Sequence, residues 1–152
     1  MPQFQIDVQW EVLPPPGAED LVRFAVKATL IREHERGAAS VTILLTDEKM
    51  IRSLNRQFMG ADMPTDVLSF PAGDPTPGAI DYLGDIAISV PTANKQAASA
   101  GYPVTVELQL LAIHATLHLL GFDHLESEEK RIMWQAQYRV LMDLGIEYAS
   151  PP

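Results

Sequence analysis

Three histidines stand within eleven residues, at His114, His118 and His124, in a chain that has four in all. The first two are four apart in an apolar stretch, Val106 to Leu120, that contains neither glycine nor proline. About one helical turn separates them, so both imidazoles leave the same face. Gly121 comes next, the residue type that best accepts the left-handed conformation with which helices end. A reversal there swings His124 back toward the pair. Three protein nitrogens with a fourth position open to water form the donor set of a catalytic zinc, whereas structural zinc is closed by four ligands, usually with cysteine among them. The chain has no cysteine. Imidazole also suits nickel, copper and iron, so the spacing predicts a transition-metal site more firmly than it predicts zinc.

The same spacing satisfies the long zinc-protease pattern HExxHxxGxxH, with one residue out of place. Those enzymes use the glutamate after the first histidine as general base. Here that residue is Ala115, so the ordinary protease route lacks its base.

The segment HATLHLLGFDH, His114 to His124, resembles the signature H-G-x-L-H-L-x-G-[YF]-D-H of the YbeY family of bacterial rRNA maturation factors, with Ala115 as its one departure. Two further segments are similar to the family: MPTDVLSFP, Met63 to Pro71, and LGDIAIS, Leu83 to Ser89. The pair Leu54 and Asn55 extends the match over nearly the whole chain. The resemblance implies a single-domain endoribonuclease with one zinc per chain, acting on single-stranded RNA in ribosomal RNA processing, including maturation of the small-subunit rRNA 3′ end, and in ribosome quality control. It also implies a cleft whose wall includes Asp66 and Ser69. Four residues after the asparagine the family carries an arginine, and here Met59 takes that position. A guanidinium would suit a scissile phosphate. Arg56 and Arg52, three and seven residues upstream on the same predicted helix, are the expected substitutes, with Arg56 the candidate catalytic cation.

The elements that must position these residues alternate strands with helices. Phe4, Ile6, Val8 and Trp10 have the period of a half-buried strand. Gly17 to about Glu35 reads as a helix with Leu21, Phe24, Ala25, Ala28 and Ile31 on its buried face. Val41 to Leu45 reads as a strand, and Thr46 and Asp47 as caps for a helix from Glu48 to Phe58. Strands are expected at Asp66 to Phe70 and Asp85 to Val90, separated by a mobile loop from Gly73 to Gly78. Helices follow over Thr92 to Ala100, Val104 to Leu120 and Glu128 to Leu144. The expected fold is α+β: one domain over residues 1–152, with a small mixed sheet of about four strands covered by about five helices. The histidine helix, apolar around most of its girth, should be the central one.

Asp85 and Asp123 are the rival carboxylates for orienting a ligand histidine through its other ring nitrogen. They are also two of the routes for proton removal, beside a metal-activated hydroxide and the RNA 2′-hydroxyl. His34, at the end of the polar run IREHERG, is expected to be a solvated helix-end residue. Ser127 is expected to cap the last helix, with Glu128 and Glu129 in its first turn.

The length of 152 residues suits one ordinary domain. No run approaches the apolar length of a membrane span, and the N-terminus lacks a basic stretch followed by an apolar one, so a cytoplasmic protein without a membrane partner is expected. The net charge of -9 is the wrong sign for gripping phosphates alone. RNA is therefore expected to be held with help from the metal and from the ribosome or its small subunit, and DNA is not an expected partner. Two other classes share the motif: a zinc metalloprotease-like hydrolase, and a non-catalytic ribosome-associated RNA-binding factor.

Overall fold

The structure is a computed structural model and describes residues 3–74 and 77–147. The alternating first segment forms β1 (Phe4–Trp10), which leads into α1 (Ala18–Glu33) and β2 (Ala39–Thr46). Asp47 caps α2 (Glu48–Leu54) by accepting from Met50 N at 2.8 Å, and the helix runs on into a π-helical turn, Asn55–Met59. Strands β3 (Val67–Pro71) and β4 (Asp81–Ser89) follow, then α3 (Val90–Ala100), α4 (Val104–Leu119) and α5 (Ser127–Asp143). The expectation of loop mobility falls partly on residues 75 and 76, outside the described residues.

The sheet order is β1-β2-β4-β3, with the first two pairings parallel and β3 antiparallel to β4. This is the expected mixed sheet of four strands with five helices. Val41, Ile43, Ile86 and Ile88 belong to the main core, where α1 and α4 cover the sheet. Leu44, Leu68, Phe70 and Ala87 point the other way and are covered by Ile51 and Leu54 of α2. Helix α4 touches α1, α3, α5, β3 and β4, and it is buried without a break from Glu107 to Ile113. Complete burial of Leu108, Ile113 and Leu117, at about 1.5–3 kcal/mol for each side chain, anchors the helix that carries two of the histidines.

A bulge in β4 adds Leu83 to the residues that face that helix. Ser40 pairs with Tyr82 but Val41 pairs with Gly84, leaving Leu83 as an extra residue. Leu83, Ile86 and Ile88 therefore share the core face, while Tyr82, Asp85 and Ala87 share the opposite one. Gly84 sits in this bulge at φ 140°, and a Cβ there would lie 2.3 Å from the carbonyl oxygen of Phe70, so no other residue fits.

Three local expectations are corrected. Phe24 and Ile31 are exposed, and the buried stripe of α1 runs instead through Val22, Ala25, Val26, Thr29 and Leu30, whose smaller members allow close approach to α4. His34 is buried: α1 ends against the first residues of β1 and β4, so the imidazole packs edge-on to Phe4 with Nε2 3.8 Å from Asp81 Oδ2. Ser127 starts α5 rather than capping it; Glu126 holds the cap position without a side-chain bond. Among the described residues, no helix is long and apolar enough to cross a membrane.

Candidate metal centre

The last turn of α4 builds the site. Leu120 caps the helix, Gly121 N–H donates to the carbonyl of His118 (3.0 Å) and Phe122 N–H to that of Leu117 (3.0 Å). This is a Schellman closure, with Gly121 at φ 99° and Phe122 packed against the core. The reversed chain returns His124 to the pair, and its ring centroid lies 5.6 Å from that of His114 and 5.1 Å from that of His118. One nitrogen from each of the three rings falls within 4.8 Å of the others.

The hydrogen bonds aim two of these rings. His118 Nδ1 is 2.9 Å from the carbonyl oxygen of Phe122, which can only accept, so Nδ1 carries the proton. His114 Nδ1 is 3.1 Å from Oε1 of Gln137 on α5, so it too is the donor. Both Nε2 atoms are thereby left as lone pairs, and they face each other at 3.2 Å. Two lone pairs at that distance repel unless a cation lies between them. Nitrogens at about 2.0–2.1 Å from a tetrahedral zinc would stand about 3.4 Å apart, so the pair already has the required spacing and tautomers. Burial, then the neighbouring His118, pushes His114 below the usual imidazole value; for His118 the causes are burial, then His124. Neutral imidazole is the ligating form.

A cleft of about 310 Å³ is lined by the three histidines together with Met59, Asp66, Ser69 and Ala115. Asp66 and Ser69 thus line the same cleft as the histidines. Asp123 lies beside the cluster, but its Oδ1 accepts from the backbone N–H of His124 (2.7 Å) and bonds to no histidine ring. Alternation with the core residues Ile86 and Ile88 puts Asp85 on the other face of the sheet, where it accepts from the Tyr82 hydroxyl and lines a separate cavity with Leu54, Phe58 and Phe70. It does not orient a histidine. Arg56 is exposed on the π-helical turn and does not line the cleft, whereas Met59 does; Arg52 is paired with Asp62 at 2.8 Å. The wider π turn takes Arg56 off the face that Met59 presents. The residues that orient the rings, Gln137 and the backbone of Phe122, are not among those the sequence singles out. No local signal marks Gln137, 23 residues from His114, but the Phe122 carbonyl follows from the helix–glycine closure.

The sequence model of the family described as Endoribonuclease YbeY matches residues 5–145. This chain belongs to the YbeY family. An Endoribonuclease YbeY from Desulforamulus reducens is 40% identical over 145 residues, covering 92% of this chain and 95% of the relative. One from Gloeobacter violaceus is 45% identical over 127 residues, covering 80% of this chain and 66% of that longer relative. The fold is shared with the solution structure of TM1509 from Thermotoga maritima, at TM-score 0.61 and 24% identity, covering 94% of this chain and 92% of that one. Ala115 and Met59, the two positions at which the sequence resemblance leads one to expect glycine and arginine, both line the cleft.

Proposed function

We propose that the chain is a metal-dependent endoribonuclease specific for single-stranded RNA, acting in rRNA processing, with maturation of the small-subunit rRNA 3′ end and ribosome quality control as its setting. Zinc is the proposed metal, one per chain, on His114, His118 and His124, and the cytoplasm, with the small ribosomal subunit as partner, is the proposed place of action. The whole of residues 1–152 is read as one such domain. The observation that carries the reading is the pair of Nε2 lone pairs aimed at each other across 3.2 Å in an open cleft, in a chain of this family.

Zinc held there would supply Lewis acidity toward a phosphate oxygen or water. The residues around it do the rest. Gln137 and the Phe122 carbonyl hold the two helix imidazoles neutral and fixed. Asp66, whose charge acts on His114, is a carboxylate on the cleft wall and is the proposed acceptor of the nucleophile's proton, in place of Asp85. Ser69 offers a hydroxyl to the substrate from the same cleft. Ala115 lies where a zinc protease has its glutamate, which disfavours peptide hydrolysis.

The test is cleavage of single-stranded RNA, duplex RNA and casein by zinc-loaded protein, with and without chelator. Chelator-sensitive cleavage of single-stranded RNA alone is expected. Casein digestion would move the reading to a protease, and RNA binding without cleavage would move it to a binding factor.

A further inference from the structure

A second cavity, of about 320 Å³, lies behind the histidine cleft and shares Asp66, Val67 and His114 with it. Its polar lining converges from three helices and a loop: Gln96 of α3, Tyr102 of the α3–α4 loop, Glu107 of α4 and Gln137 of α5. Of these, the metal centre uses only Gln137. Glu107 is 5% exposed, unusual for a carboxylate, and accepts from the Tyr102 hydroxyl. Burial pushes its carboxyl above the usual range; the Tyr102 hydroxyl opposes this, and the charge of Asp66 adds to it. An N–H donor arriving beside it would favour the ionised form, which accepts. Asp66 and Glu107 make the lining rich in acceptors, and the volume suits a small planar ligand.

We propose that this cavity is a nucleobase subsite of the cleft, holding the base beside the scissile phosphate and preferring bases with an exocyclic amino group over uracil. The inference rests on the ribonuclease reading above. Guanine, adenine and cytosine each present an amino group on the Watson–Crick edge, from which a carboxylate accepts. Uracil has no amino group there: its single ring N3–H is flanked by two carbonyl oxygens, which face a pair of carboxylates unfavourably. Tyr102 also lines the cavity and brings an aromatic ring, the kind of side chain on which unstacked bases rest.

Two measurements test it on the zinc-loaded protein: binding of GMP, CMP and UMP by calorimetry, and cleavage of uridine-rich oligonucleotides carrying a single G, A, C or U. GMP and CMP are expected to bind at least about tenfold more tightly than UMP, with cleavage clustering at the amino-bearing base. Glu107→Gln should bring that ratio to within about twofold with zinc content unchanged. Gln96→Ala, at a half-buried and more tolerant position, should reduce it as well. Equal binding of all three nucleotides, or a ratio that survives in both variants, would overturn the subsite. Base-selective binding without cleavage would support the subsite and contradict the nuclease; base-independent cleavage would do the reverse.

Discussion

The Nδ1–H of His118 donates to the carbonyl oxygen of Phe122 at 2.9 Å, so the turn that returns His124 to the site also aims His118 at it. One Schellman closure thus sets two of the three proposed ligands, and the site depends on the left-handed residue at its centre.

Gly121→Ala tests that dependence. A Cβ there meets nothing within 4 Å, so the cost comes only from placing alanine at φ 99°, about 1–2 kcal/mol. The expected result is a modest loss in urea unfolding together with weaker zinc retention in a chelator competition. Unchanged zinc affinity would show that His118 and His124 are positioned by other contacts.

Gln137→Leu removes the acceptor of His114 Nδ1 while keeping a side chain of similar size at a buried position. Loss of such an orienting partner lowers metal affinity by about 10–100-fold. Competition with a colorimetric zinc chelator reads this directly, and circular dichroism checks that the fold is kept.

The metal-free protein should lose stability on acidification. Both helix histidines have folded-state pKa values lowered by burial and by neighbouring imidazoles. Below the unfolded-state value, about 6.5, the unfolded chain therefore binds more protons. Their contribution is present above that pH and is lost as pH falls toward the lowered folded values. Urea titrations of apo protein between pH 7.5 and 5 should show this slope, and His118→Ala should flatten it.

Met59→Arg restores a guanidinium to the cleft wall, where the present side chain is an exposed thioether. A charge-assisted bond to phosphate predicts a gain of about tenfold in kcat/KM on single-stranded RNA, steepest at low salt. A gain from this variant, with little loss from Arg56→Ala, would place the phosphate beside residue 59.

The i, i+4 histidines, the glycine that closes their helix and the apolar girth of α4 are local features, legible in the amino-acid order, and each maps directly onto the fold. Asp85 misleads because sequence shows that it alternates with Ile86 and Ile88 but not which sheet face carries the histidine helix; the bulge at Leu83 adds only that Leu83 joins the core face. His34 misleads because its neighbours along the chain are polar, while its neighbours in space are Phe4 and Asp81. Hydrophobicity alone puts Phe24 and Ile31 inside, whereas close packing of α1 on α4 selects smaller side chains. Gln137 reaches His114 from another helix, so only tertiary structure reveals it.

RNA is proposed to be cut at a metal held by His114, His118 and His124. The most direct measurement compares zinc-loaded wild type with a folded His118→Ala variant, purified identically, on an end-labelled single-stranded RNA containing a small-subunit rRNA 3′ segment. The account predicts specific cleavage by wild type and a loss of more than about a hundredfold in the variant. Equal cleavage by both proteins, or none by the loaded wild type, would contradict it.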